Sequence, residues 1–360
     1  MKSINQNTRV FGLDVMRAVA IIMVVIGHGS YMLNDTCIQG FPFIRLIDGV
    51  DLFFVLSGFL IGGILLKEIN AKEEFDFRSL RQFWKRRWMR TLPLYYLVLL
   101  ANYLVVRFDF IHEDFSQFNW KFFFFLQNFS KPFAGFFWES WSLSIEEWFY
   151  LTSPILLWLL LKFLNPKKTF ILVTFIMMIS PFLYRIWILN PQIDDFWYDA
   201  IFRKMVLTRL DSIAYGLLAA WICFYFPRFW TKWRVLSAIL GTLLMVFILH
   251  YEASNSGFYQ QVIRFSLTPI SVMLLVPIAH HFQSASGFVA RAITHVSKIS
   301  YSMYLIHLGL VSAVIRDHFP PTTEIDGLLK YLLYWCVVLV GSTILYRFVE
   351  KPMMRLRDKV

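Results

Sequence analysis

The sequence is short of charge, of cysteine and of polar stretches. Only 16% of its 360 residues are charged, and 24 acidic residues face 35 lysines and arginines. No polar stretch reaches the roughly 50 residues that a separate soluble domain needs. The three cysteines, Cys37, Cys223 and Cys336, form no CxxC pair and no Cys/His spacing. That argues against a metal site and against a disulfide framework. Cys223 and Cys336 lie in apolar runs, where a small hydrophobe is the default. There is no internal repeat of fixed period, and low complexity is limited to Phe-rich patches such as KFFFFLQNF. Nothing resembles a DNA-reading motif, so the net charge of +11 points to topology and anionic headgroups rather than nucleic acid. A cleavable signal is not expected at the N-terminus: His28 interrupts the apolar stretch and no clean small-residue cleavage site follows.

What is present is apolar, with 58% hydrophobic residues. Runs of about 17–20 apolar residues recur from end to end, the signature of membrane-spanning helices. The fold expected is an all-α polytopic membrane protein of about ten transmembrane helices. It forms a single domain over 1–360, membrane-embedded from about 13 to 348, with 349–360 a basic cytoplasmic tail. The helices are placed at 13–33, 50–67, 91–107, 141–161, 169–189, 206–226, 235–251, 261–282, 299–317 and 328–348, with prolines and polar clusters at most joins. The aromatic stretch 118–140 is short and reads as interfacial or re-entrant.

Putting both termini in the cytoplasm places 24 of the 35 lysines and arginines inside. The inside set is Lys2, Arg9 and Arg17; eight from Lys67 to Arg90; three around LNPKK; three in PRFWTKWR; Arg291 and Lys298; and five from Arg347 to Lys359. The opposite orientation inverts the bias.

The first span, LDVMRAVAIIMVVIGHGS, carries Arg17 and His28. Eleven helical steps bring the two within about 20° of one face, about 16 Å apart along the axis. Asp14 sits one turn before Arg17. Taken singly, Arg17 fits a snorkelling anchor and His28 an interhelical hydrogen bond. Ionisable groups inside a span are functional candidates by default, and histidine is the natural general base at neutral pH.

Other strings add to the pattern. GVDLFFVLSGFLIGGIL offers Ser57 and Gly58 for close approach of a helix or ligand, and an acidic Asp51 that is either buried or at the outer interface. RSLRQFWKRRWMRTLPLYY sets Arg87 and Arg90 on one side of a helix, suited to phosphates or to lipid headgroups. WESWSLSIEEWFY begins a span with Trp141 and adjacent Glu146 and Glu147, which point about 100° apart. Either they sit in interfacial water, or one orients His28. ISYSMYLIHLGLV carries Tyr301, Tyr304 and His307, for which interhelical hydrogen bonding is expected.

In order and orientation, these strings resemble the acyltransferase-3 family of bacterial membrane O-acyltransferases, over almost the whole chain. Arg17 and His28 match the family's Arg/Lys…His pair on the first span, and DLFFVLSGF its second-span motif. RRWMRTLP matches its Arg-x-x-Arg motif at Arg87 and Arg90, and WSLSIEEWFY its Trp-Ser-Leu-x-x-Glu string, with the key acid at Glu146. SYSMYLIH and YRFVEKP resemble its late motifs. The chain departs at Trp148, where a Gln is common, and in carrying no appended extracytoplasmic esterase-like domain. The resemblance implies transfer of an acyl group, usually acetyl, from a cytoplasmic acyl-CoA co-substrate to a hydroxyl of a glycan or lipid-linked sugar. No bound cofactor or metal is expected, and the setting is the bacterial inner membrane. In that scheme Arg17, Arg87 and Arg90 meet the CoA phosphates, His28 acts as base or acyl carrier, and Glu146 orients or charge-balances it. Asp14, Asp51, Ser57, Gly58, Trp141, Tyr301 and His307 support the site. The competing readings are a transporter or flippase, which predicts paired repeats that are not seen, and an assembly subunit of an envelope complex.

Overall fold

The structure, a computed structural model, describes residues 9–34, 36, 48–71, 75–133, 135–251, 255 and 257–358. Lys2, Cys37 and Lys359, named above, lie outside the described residues. Among the described residues there is no strand. Among the described residues ten long helices overlap the predicted ones: α1 Phe11–Gly29, α2 Gly49–Ala71, α3 Phe77–Arg107, α4 Ser140–Leu160, α5 Pro166–Trp187, α6 Val206–Tyr225, α7 Arg234–His250, α8 Arg264–His281, α9 Phe288–Ile306, which starts eleven residues before the expected 299, and α10 Glu324–Leu345. Eight of the helical segments are long and apolar enough to cross a membrane. The two that fall short are α7, with 17 residues, and α4, whose first half carries three serines and two glutamates.

Local chemistry sets the helix ends. Asp76 caps α3 by accepting from Ser79 N at 2.8 Å, and Asn165 caps α5 from Lys168 N at 3.0 Å, with Pro166 following at the first helical position. Because of the Asp76 cap, α3 begins at Phe77 instead of near 91, and RSLRQFWKRR is its first three turns rather than a lead-in. Pro93, Pro154, Pro181, Pro269 and Pro277 lie inside helices, where packing in the bundle compensates for the lost hydrogen bond.

Helix α2 packs most extensively against α6. The contact is backbone to backbone: a Cβ on Gly58 would run into the Ile213 carbonyl, and one on Gly216 into the Val55 carbonyl. Gly58 is therefore a packing residue. Two ion pairs fasten the same region. Asp51 on α2 pairs with Arg209 on α6, both buried, so Asp51 is not in interfacial water. Arg185 on α5 reaches Asp211 on α6 at 2.7 and 3.0 Å, and Ser266 on α8 at 2.9 Å. Both members of this second pair are fully buried.

The stretch 118–140 contains no spanning helix among its described residues. It folds as short 3-10 turns and bends, with Phe122, Phe133, Phe136 and Phe137 packed into the core. Tyr95 of α3 and Trp148 of α4 pin it by donating to the carbonyls of Phe122 (2.8 Å) and Phe125 (2.9 Å).

Removing one partner of a buried pair leaves an uncompensated charge. Asp211→Ala is expected to lose about 3–5 kcal/mol of stability, read as a lower thermal midpoint in lipid-like detergent. The double change Arg185→Met with Asp211→Leu is expected to recover most of it.

Candidate active site

One unbroken helix carries both ends of the site. Because α1 is continuous from Phe11 to Gly29, Arg17 and His28 do share a face, about 16 Å apart. Around the Arg17 end, Asp14 accepts from Arg9 Nε at 2.9 Å and from Ser297 Oγ of α9 at 2.8 Å. Arg17 lies 3.7 Å from Asp14 and donates to Ser297 at 3.5 Å. Arg9 thus takes most of the charge of Asp14. Arg17 is left within electrostatic reach of Arg90, Arg9 and Arg87. Three guanidinium groups from two helices, those of Arg17, Arg87 and Arg90, converge here. Such an arrangement suits a polyanion.

Helix α4 approaches that cluster with its two glutamates pointing to different partners. Glu146 accepts from Ser57 Oγ at 3.0 Å and from Tyr150 OH at 2.9 Å, and lies 3.9 Å from Arg87. Arg87 donates to the Tyr150 hydroxyl and sits over its ring at 4.2 Å, while its Nε is buried without a partner. Glu147 accepts from Thr91 Oγ1 at 2.9 Å and Trp88 Nε1 at 3.1 Å. Tyr301 of α9 donates to the Thr91 carbonyl at 2.8 Å. The polar contacts of Glu146 are with Ser57, Tyr150 and Arg87, not His28. It joins α2, α3 and α4 beside the arginines. Arg90 lies within electrostatic reach of Arg87 and Glu350.

At the other end, His28 keeps an exposed edge, and beside it a Cβ on Gly27 would meet nothing within 4 Å. Its Nδ1 lies 3.0 Å from the Val24 carbonyl and 2.9 Å from Nε2 of His307. A carbonyl oxygen only accepts, so Nδ1 carries the proton and Nε2 is the bare nitrogen of a neutral ring. His307 opens a π-helical turn, His307–Ser312, that continues α9. Trp141 lies deeper, edge-on to Phe54 at 6.1 Å and under the Arg203 guanidinium at 5.4 Å. Arg203 is paired with Asp48 at 2.7 Å, just ahead of α2, and holds that carboxylate below its ordinary range.

Two buried groups here escaped the sequence reading. Glu139, one residue ahead of α4 and outside the spanning helices, accepts from Gly309 N in the π turn at 2.7 Å. Its Oε2 has no partner, and neither has Oδ1 of Asn102 on α3. A Cβ on Gly309 would lie 2.6 Å from Asn102 Oδ1 and 3.3 Å from Glu139 Oε2, so glycine is required and the two acceptors are close. Burial pushes the Glu139 carboxyl up to about 8, and a proton on Oε2 gives this pair a donor. The signal was present, an acid four residues ahead of Leu143 in WESWSL, but it lay outside the Trp-Ser-Leu string. Ser142, the serine of that string, donates to Tyr304 OH at 2.6 Å, a partner 162 residues away that no local signal announces.

A raised carboxyl keeps its proton in the folded state after the unfolded chain has released it. Stability is therefore lost as pH rises from the ordinary carboxylate range through about 8. The thermal midpoint of the wild type is expected to fall between pH 6 and 8.5. Glu139→Gln, which keeps the Gly309 contact, is expected to show a flatter profile and a higher midpoint at the alkaline end.

The profile of the acyltransferase-3 family, described as an acyltransferase domain, matches residues 10–347. Among curated proteins, the chain is 27% identical over 366 residues to the peptidoglycan O-acetyltransferase OatA of Listeria monocytogenes (serovar 1/2a), covering 95% of this chain and 55% of that protein. It is 26% identical over 383 residues to the O-acetyltransferase OatA of Staphylococcus aureus (strain NCTC 8325 / PS 47), covering 96% and 57%. The chain thus spans a little over half the length of these relatives. The match takes in both arginine motifs, His28 and the glutamate helix. The chain belongs to the acyltransferase-3 family of membrane acyltransferases.

Proposed function

We propose that the protein moves an acyl group, acetyl by default, from a cytoplasmic acyl-CoA to a hydroxyl of a cell-envelope or secreted glycan or lipid-linked sugar. The observation that carries this reading is the division of α1. A cluster of guanidinium groups surrounds Arg17 at one end, and at the other His28 is exposed, with its Nδ1 engaged by the Val24 carbonyl. The relatives named as O-acetyltransferases favour an acetyl group, and the Listeria protein's name makes peptidoglycan the first acceptor to try. The transporter alternative is not favoured, because the family is one of acyltransferases.

In this reading all ten helices span the inner membrane, with both termini in the cytoplasm as the basic bias requires. Arg17, Arg87 and Arg90 bind the CoA phosphates at the cytoplasmic end. The pantetheine arm runs along α1, which bridges the roughly 16 Å to His28. His28 Nε2 takes the proton of the acceptor hydroxyl as its oxygen attacks the thioester carbonyl. The C–S bond then breaks, the CoA thiolate leaves, and the proton passes from His28 to that sulfur. Glu146 tunes and holds Arg87 through Tyr150, and so serves the donor end of the site. The whole reaction needs no metal or redox partner.

The test is label transfer. Membranes containing the wild type or His28→Ala are given acetyl-CoA labelled on the acetyl group together with cell-wall glycan, and base-labile label is counted. The wild type is expected to transfer label, and His28→Ala to lose at least about 100-fold. Full transfer by correctly folded His28→Ala would remove histidine from the chemistry. Arg87→Gln is expected to raise the acyl-CoA KM more than it lowers kcat.

A further inference from the structure

We propose that His307 is the positioning residue of the reaction. It stands where a triad has its carboxylate, holding His28 as the Nδ1–H tautomer with Nε2 aimed at the acceptor. This inference rests on the reading of His28 as the base.

The two rings come from α1 and from the turn that follows α9. His28 Nδ1 and His307 Nε2 are 2.9 Å apart, with ring centroids 4.9 Å apart and planes tilted by 51°, so they meet edge to edge rather than stacked. His307 is fully buried, and its Nδ1 lies 2.7 Å from the Tyr304 carbonyl. That carbonyl can only accept, so His307 carries its proton on Nδ1, and its Nε2 is bare when the ring is neutral. A bare Nε2 requires a donor, and His28 Nδ1–H is the donor it meets. The Val24 carbonyl at 3.0 Å from the same nitrogen demands the same proton. The reverse assignment would set a bare His28 Nδ1 against the Val24 carbonyl, lone pair against lone pair. The three contacts therefore admit one arrangement of two neutral rings. The chain of donors runs from His28 through His307 to Tyr304, with His28 Nε2 left bare at its open end.

This arrangement does for His28 what an aspartate does in a hydrolytic triad. It fixes the ring orientation and selects the Nδ1–H form, the less favoured tautomer of an unconstrained histidine side chain. When His28 takes a proton, Nδ1–H strengthens its bond to His307, and the positive charge is shared by two rings. A neutral partner suits a bundle interior, where an unpaired carboxylate would be costly. The surrounding contacts hold His307 still. The π turn that begins at His307 is anchored by Gly309 N on Glu139, and Ser312 Oγ reaches back to the His28 carbonyl at 3.2 Å.

Wild type, His28→Ala, His307→Leu and His307→Gln are purified, confirmed monodisperse and helical, and assayed by acetyl transfer. His307→Leu is expected to lose kcat by about 100-fold, with the acyl-CoA KM within about twofold of wild type. His307→Gln, whose amide oxygen can accept from His28 Nδ1, is expected to regain at least tenfold over His307→Leu. Nitrogen NMR of histidine-labelled wild type in lipid is expected to show His28 protonated at Nδ1 and bare at Nε2. Full kcat in His307→Leu, no recovery by His307→Gln, or a bare Nδ1 on His28 in the wild type would each overturn the assignment. An active His28→Ala would instead overturn the underlying reading. An inactive His28→Ala beside a fully active His307→Leu would remove only the role given to His307.

Discussion

Inside a bundle of apolar helices a polar group must find a partner in the protein, because no bulk water supplies one. The interior of this protein is organised around that constraint. Arg185 is matched to Asp211 and Ser266, Arg209 to Asp51, and Glu147 to Thr91 and Trp88. The proposed site stands out from this background by the crowding of guanidinium groups around Arg17 at one end and by the exposed edge of His28 at the other.

The same constraint explains why α1 is held so closely. It is tied to α9 at both ends, through Asp14 and Ser297 near Arg17, and through His28 and His307 beyond the middle. Rigid placement of both ends fixes the distance between the arginine cluster and His28, which in the proposed reaction the pantetheine arm of the donor must match. The glutamate helix serves this scheme less directly than triad logic suggests. Glu146 meets Arg87 through the Tyr150 hydroxyl, and the side chain that meets His28 Nδ1 is His307.

Much of this was legible in the sequence. Apolar runs marked out the ten long helices among the described residues, though not the starts of α3 and α9, because burial and lipid both demand long apolar runs. The shared face of Arg17 and His28 followed from helix geometry alone. Polar partners across helices were harder to read, since they depend on which helices pack together. Nothing local to YLIH said that His307 would meet His28, 279 residues away. Glu139 and Asn102 likewise become a pair only when the π turn brings Gly309 between them. Asp51 could be read as surface or buried until Arg209 was placed beside it. The span of α3 was started too late because its first turns are basic and aromatic, and apolar runs alone do not show that they continue into it without a break.

The central claim is vectorial: the donor enters at the arginine end and the acyl group leaves at the histidine end. Sidedness in proteoliposomes tests it most directly. Oriented protein is sealed into vesicles, with labelled acetyl-CoA confined to the face bearing the basic termini and a membrane-impermeant glycan confined to the other. The account predicts that label reaches the glycan only in this arrangement, and that exchanging the two compartments abolishes it. Transfer occurring only when donor and acceptor share one compartment would contradict it.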